Sequence, residues 1–271
     1  MEINLLSQIR ILSPSQIYPF DWPASAGSGI DLSNISQIRH PFLVTSLDSG
    51  DFLLLEEVDY FQALTESGLR HVPVQICSPD DVSIEAVRMG LINFGYDDLV
   101  RLATKYPKQI IVKGGAGGDE ELAGHVSLNL EFIDSPSVVV WLRHSSRTGC
   151  PLPLDYFFRA VNQVGRYQPV VDRRKNPDSI TKVASLSGFA CPPPFTLDDL
   201  KAAAVSDRRF PPNVVNVRAH RRILSVDYPM AVLLSEIPVN EKEAFLKDLI
   251  ALREQNRKTS FYNGQVYILN R

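Results

Sequence analysis

Three carboxylates stand within four positions of one another, Glu56, Glu57 and Asp59, with the phenol of Tyr60 directly after them. Carboxylates grouped in this way are either solvated at the end of an element or gather a hard cation such as Mg²⁺, which can bridge to the phosphates of a nucleotide. In the second case Glu56 and Asp59 are the candidate metal ligands, and Glu57 and Asp59 the carboxylates available for catalysis. Without a cation the same charges repel a phosphate, at about 1 to 4 kcal/mol for each unscreened contact near a surface. A basic residue brought in from elsewhere relieves that repulsion, and Arg39, His40, His220 and Arg222 are the candidates. A guanidinium gives bidentate, permanently charged hydrogen bonds, and a histidine adds a proton or a positive charge.

The elements that position this group lie in residues 38–75. Residues 42–47 are an apolar run closed by Asp48-Ser49-Gly50, and 52–55 are a second, which predicts two strands joined by a tight turn. A helix follows, with Val58, Phe61, Ala63 and Leu64 on one face and Gly68 as its stop, and 72–77 resume an extended apolar pattern. In this order the carboxylates sit at a strand exit, beside a helix N-terminus able to hold an anionic group.

Elsewhere, periodicity predicts a strand over 9–12 ended by Ser13-Pro14-Ser15, and a loop of small residues over 24–29 leading into a helix near 31–37. Further on it predicts a helix over 96–106, a strand over 109–113 and an alternating strand over 124–134 continued by 138–142. A helix over 154–164 carries Tyr156, Phe157, Ala160, Val161 and Val164 as its core stripe, and Thr196 caps a helix through Ala204. Two strands, 214–217 and 223–226, are joined across Arg218-Ala219-His220-Arg221-Arg222, and Pro229 opens a short helix. Asn240 and Glu243 make a capping box for a last helix through Ala244, Phe245, Leu249 and Leu252, and Asn263-Gly264 predicts a type I′ hairpin. The glycine-dense 113–118 lacks the Lys-Ser or Lys-Thr of a P-loop and reads as a surface loop. The basic triplet within 172–177 reads as a charged connector.

With 271 residues, 44% hydrophobic and 22% charged, the chain suffices for a large core and two subdomains. A formal net charge of −3 argues against a surface that coats nucleic acid. There is no basic leader and no apolar run of membrane-spanning length, so a cytoplasmic location off the membrane is expected. Cys77, Cys150 and Cys191 are widely spaced and without a CxxC, and read as reduced, packed thiols. Trp22, expected exposed, and the proline-rich 191–194 are the candidates for a protein-partner surface.

The wording of 38–75 resembles the ParB/sulfiredoxin superfamily, and within it the free-serine kinases, SbnI-type proteins included. That group has a strand I-x-x-P-h-x-V (h apolar), a strand ending in D-G-x-H-R, a helix, a glycine and a V-P-V strand. Ile38, Pro41, Val44, Leu64, Gly68, Val72, Pro73 and Val74 occupy this frame. Where the group has D-G-x-H-R, the chain reads Glu56-Glu57-Val58-Asp59-Tyr60, so Asp59 and Tyr60 replace the histidine and arginine. A second block, P-x-G-V-T-R-x, R-x-L and P-L-x-L-L, is matched by Pro212, Val214, Arg222, Leu224, Pro229, Met230 and Leu233, with Val215 and Asn216 in place of its threonine and arginine.

The resemblance implies an α+β fold, with a ParB/sulfiredoxin-like mixed sheet and helices over 1–80 and 208–271 returning to complete the core and site, while periodicity alone makes 81–207 a second mixed α/β subdomain. It implies that Asp21, spaced from Ile17, is the base on a serine hydroxyl, and that Arg39, His40, Glu56, Tyr60, Asn216, His220 and Arg222 face substrate or an ADP/ATP nucleotide. Sulfiredoxin chemistry is set aside, because 56–60 contain no cysteine. Three functions stay open. One is a regulatory protein that binds a ligand or partner, its phosphotransfer motif replaced. Another is a Mg²⁺-dependent phosphotransferase acting on a small hydroxyl substrate such as free serine. The third is ParB-like DNA binding, disfavoured by the acidic pI of about 6.0 and the lack of a helix-turn-helix pattern.

Overall fold

The computed structural model describes residues 8–24, 35–114, 125–143, 151–169, 185–206, 208–255, 259–262 and 266–269. The expected glycine loop, the charged connector, most of the 24–29 loop and the Asn263-Gly264 turn lie outside them. The chain forms two compact units, Met1–Ser83 with Val217–Arg271, and the continuous Ile84–Asn216.

From the start run β1 (Ile9–Leu12), β2 (Ile17–Pro19), β3 (Gln37–Ile38), β4 (Phe42–Ser46), β5 (Phe52–Leu54), α1 (Val58–Glu66), β6 (Val72–Ile76) and β7 (Val82–Ala86). The middle holds β8 (Met89–Ile92), α2 (Tyr96–Lys105), β9 (Ile110–Gly114), β10 (His125–Phe132), β11 (Val138–Arg143), α3 (Pro151–Val164), β12 (Arg166–Pro169), β13 (Leu186–Cys191) and α4 (Leu197–Val205). The chain closes with β14 (Val215–Ala219), β15 (Arg222–Leu224), β16 (Tyr228–Pro229), α5 (Met230–Leu234), α6 (Val239–Gln255), β17 (Thr259–Tyr262) and β18 (Val266–Leu269). This is a mixed α+β architecture, as its sequence pattern implies. Among the described residues no helix is long and apolar enough to cross a membrane.

In the first unit a five-stranded sheet has the order β1-β6-β4-β5-β2. It is mixed: β4 runs parallel to β6 and β2 parallel to β5, while β1–β6 and β4–β5 are antiparallel. Helix α1 buries Val58, Phe61 and Leu64, with Phe61 edge-on to Phe42 at 5.5 Å between ring centroids. It stops where Gly68 takes φ +85° and Leu69 N–H reaches back to the carbonyl of Leu64, a left-handed cap that glycine adopts without a Cβ penalty. The returning segment supplies Ile223, Val226, Tyr228, Leu233, Leu246 and Ile250 to the same core. The sheet of the first third therefore depends on the last fifth for its apolar cover.

Two expected helices differ in this unit. Residues 31–34 lie outside the description, but Gln37, the expected last residue of the helix, is strand and pairs with Pro229. Ile38 is fully buried and pairs with Tyr228, so a long-range partner overrides the local pattern. The last helix starts at Val239, one residue before the expected cap Asn240. Glu243 does not fold back on that cap. Its carboxylate accepts the N–H of Ile11 on the edge strand β1 at 3.2 Å, and so covers that part of the sheet edge. The buried face of α6 is Lys242, Leu246 and Ile250, while Phe245 and Leu252 are exposed and Ala244 with them.

The second unit holds a six-stranded antiparallel sheet, β12-β8-β13-β10-β11-β9. Strand β10 alternates as its sequence predicts, with Val126, Leu128, Leu130 and Phe132 buried. Strands β7 and β8 occupy a stretch where sequence periodicity predicts nothing. The core face of α3 is Leu154, Phe157, Phe158 and Val161, whereas Tyr156 and Val164 are exposed, a rotation of the expected stripe toward the residues at i, i+3, i+4 and i+7. Thr196 caps α4, accepting from Asp199 N–H at 3.2 Å.

Candidate functional site

Strand β5 delivers Glu56 and Glu57 to the start of α1. Leu55 still donates to the carbonyl of Leu43, at 2.9 Å, and two residues later Glu57 takes φ 59° and ψ 37°, which turns the chain into the helix. Helix α1 thus begins without a side-chain cap. Opposite stands Arg222 on β15, and its main chain is fixed by a buried glutamine. Gln75, 1% exposed, accepts Ile223 N–H at 2.8 Å and donates to the carbonyl of Arg221 at 3.0 Å. Asp81 holds the Arg221 guanidinium through Nε at 2.9 Å and accepts His220 N–H on its carbonyl at 2.7 Å. From this braced position Arg222 donates Nη1 to Glu56 at 3.0 Å, pairs Nη2 with the same carboxylate, and reaches Glu57 at 3.4 Å.

Arg222 therefore neutralises much of the acidic cluster. Burial still dominates at Glu56: it pushes this carboxyl up to about 7, against the Arg222 charge and with help from Glu57. Burial likewise pushes the Cys77 thiol up to about 12, aided by Asp81 and Glu56, which leaves it a packed, unreactive group.

Beside the pair lies a cavity of about 520 Å³, lined from β3 and its flanks by Ser36, Gln37, Arg39 and His40, and from the helix start by Glu57 and Tyr60. His40 Nδ1 accepts Ser225 N–H at 2.9 Å, which leaves the ring proton on Nε2. Burial, with the charges of Arg222 and Arg39, lowers its pKa, so at neutral pH His40 offers a neutral donor and no positive charge. Arg39 is exposed. The Tyr60 ring lies 5.6 Å from that of Phe42, and burial together with Glu57 raises the phenol, which stays protonated.

The cavity wall is braced by residues that sequence reasoning passes over. Gln37 donates to Asp227 at 3.0 Å, and Arg253 at the end of α6 lies 3.6 Å from the same carboxylate. Glu57, Ser225 and Asp227 all hold left-handed φ values of 50–59°, in a region that costs a non-glycine residue roughly 1 to 2 kcal/mol. Three such residues around one cavity are the kind of strain found where a site is held in a set geometry. Gln75, a polar residue inside a V-P-V-Q strand, was the one sequence signal available for this bracing.

Asp59 is engaged apart from the pair, accepting Ala24 N–H at 2.9 Å. Asp21 is half-buried and, like Glu56, lies two residues past the last matched pair of the parallel strands β2 and β5, Pro19 with Leu54. The two carboxylates leave the sheet at the same end. His220 is exposed and anchored by its main chain. Asn216 belongs to the second unit, where it lies 3.5 Å from Glu85. Trp22 is half-buried and not the exposed contact expected of it. Of the two expected Mg²⁺ ligands, Glu56 faces a guanidinium and Asp59 an amide, and among the described residues no three His, Cys, Asp or Glu side chains converge.

No protein-family model and no curated protein matches the chain. Solved structures do. SbnI from Staphylococcus aureus, truncated at its C-terminus, superimposes with TM-score 0.72 at 13% identity over 93% of this chain and 99% of that one. A free serine kinase in complex with AMP gives 0.61 at 10% identity, over 84% and 94%. A conserved hypothetical protein from Pyrococcus furiosus gives 0.56 at 8%, over 78% and 91%. The fold is thus ParB/sulfiredoxin-like, shared with SbnI and free serine kinase.

Proposed function

We propose that this chain is a regulatory ligand-binding protein on a serine-kinase-like scaffold, taking a small anionic ligand, a nucleotide first among them, in the cavity between Ser36 and Tyr60. The observation that carries this reading is the cavity itself, which puts Arg39 and neutral donors beside a carboxylate pair already compensated by Arg222. The replaced motif supports binding over phosphotransfer, since Asp59 and Tyr60 supply no positive charge for a phosphate in flight and Asp59 is tied to Ala24. Complexes of free serine kinase with AMP and with ADP make adenine nucleotides the first ligands to try.

Thermal melting of the full chain with AMP, ADP, ATP and CTP, and separately with serine and O-phosphoserine, tests this. A ligand at a hundredfold excess over its Kd stabilises by about 2.7 kcal/mol, a rise of roughly 5 °C or more for a protein of this size. Failure of every nucleotide to move the transition would end the nucleotide reading and turn the search to protein partners.

A second reading, a phosphotransferase with Asp21 as base, is favoured by one fact, that Asp21 and Glu56 each follow by two residues the last matched pair of the parallel strands β2 and β5. It requires slow ADP release from ATP with a hydroxyl substrate such as free serine, lowered at least a hundredfold in Asp21→Asn, in line with the contribution of a positioned general base. Turnover indifferent to that change would remove Asp21 from the chemistry.

A further inference from the structure

Arg222 is an anion receptor braced beside the cavity, and it is already occupied. Its Nη1 and Nη2 are taken by Glu56, with Glu57 at 3.4 Å, while its Nε–H is buried and has no hydrogen-bond partner among the described residues. The guanidinium is linked to the cavity through Glu57, which it reaches at 3.4 Å and which lines that space. The two partners differ in freedom. Arg222 begins a strand whose next residue, Ile223, is pinned by Gln75, itself buried. Glu56 follows the end of β5 on a rotatable three-torsion side chain, and among the described residues its carboxylate has Arg222 as its partner.

We propose that Glu56 is a tethered stand-in for a ligand's phosphoryl group, filling an oxyanion site on Arg222 that a ligand in the adjacent cavity must take over. This rests on the reading of the cavity as a ligand site and adds a condition for entry. A tethered competitor acts at an effective concentration far above that of a free anion, commonly in the millimolar range or higher. Bare phosphate is therefore held off. A ligand that also fills the cavity gains enough from its other contacts to displace the carboxylate. The fork of a guanidinium accepts a phosphoryl group as well as a carboxylate, in the bidentate, charge-assisted manner that makes arginine suited to such groups. The free Nε–H is a further donor for that incoming group.

Inorganic phosphate is the probe, titrated calorimetrically at pH 8 and fixed ionic strength into the full-length wild type, Glu56→Gln and the Glu56→Gln/Arg222→Gln double variant. Expected is binding at least tenfold tighter in Glu56→Gln than in wild type, lost again in the double variant. Unchanged affinity in Glu56→Gln overturns the proposal, and so does a gain that survives loss of Arg222. If circular dichroism shows Glu56→Gln to be misfolded, Glu56→Asp, one methylene shorter, is titrated in its place, and a gain of several-fold is expected. Acetate in a parallel titration separates the two oxyanion classes: a gain for phosphate alone supports a phosphoryl site, and an equal gain for acetate overturns that assignment. The outcome is independent of the nucleotide melts. Tighter phosphate binding with no nucleotide shift would keep the gated site and remove the nucleotide, whereas a nucleotide shift with no phosphate gain would keep the ligand site and remove the role of Glu56.

Discussion

Lys242→Ala lowers the unfolding free energy of the first unit by an expected 3 kcal/mol or so, the order found when a buried charged group and its hydrogen bonds are lost. Lys242 is 1% exposed on α6, and its ammonium donates to the carbonyls of Leu233 at 2.7 Å and Ser235 at 2.8 Å, with His71 Nδ1 at 3.2 Å. These carbonyls end α5, where a helix leaves acceptors without intrahelical donors and where a positive charge is favoured by the dipole. Removing the side chain strands both carbonyls in the core and opens a cavity where its stem packed. Lys242→Met restores most of the volume and none of the donors, so it recovers about half of the loss. Urea unfolding read by Trp22 fluorescence in a Trp141→Phe background follows the first unit separately, since these two are the chain's tryptophans and fall in different units. A cost below about 1 kcal/mol would show that water satisfies these carbonyls as well as the lysine does.

The second large effect is a pH dependence carried by Glu56. Its folded pKa is raised from 4.5 to about 7, so the folded state holds the proton more tightly than the unfolded chain. The stabilisation this gives is fully present below 4.5 and is lost as pH rises through about 7. A shift of this size corresponds to roughly 3 kcal/mol, and with about a fifth of the side chain exposed we expect about 2. Denaturant titrations at pH 5 and pH 8 therefore give a wild type less stable at pH 8 from this group, and a Glu56→Gln variant in which that difference shrinks by about 2 kcal/mol. Arg222→Gln widens it, because the ionised carboxylate loses the cation opposing its burial. An equal pH dependence in wild type and Glu56→Gln would place the titration elsewhere.

What the sequence discloses here follows from how local each cause is. The strand, turn, strand, helix, strand order of 42–76 is legible because each element carries its own periodicity and its own stop, down to Gly68. The pairing that organises the site is not local. Glu56 and Arg222 are 166 positions apart, and nothing in either neighbourhood names the other. Lys242 illustrates the opposite error, since a lysine on a helix reads as solvent-facing while here it is the most buried residue of its turn, and Phe245 three positions on is exposed. Glu243 reads as a capping partner because spacing favours it, yet the unpaired N–H of an edge strand claims it. Left-handed conformations at Glu57 and Ser225 have no sequence mark, and Asp227 has only the weak one that aspartate tolerates this region better than most residues.

The two-piece make-up of the first unit also orders events at the ribosome. Residues of β1, β4 and β6 emerge early, but the apolar cover that Ile223, Tyr228, Leu233, Leu246 and Ile250 provide emerges last. The continuous Ile84–Asn216 unit has all its own partners by then and can fold while the first sheet waits. In doing so it draws its own two ends together, since Val87 N–H donates to the carbonyl of Val214 at 2.8 Å. A long gap in the chain becomes a short, closed one before the split core is joined, which lowers the loop-closure entropy of that joining. A nascent chain stopped near residue 216 would carry one finished unit and one open apolar sheet, the form that chaperones and proteases recognise.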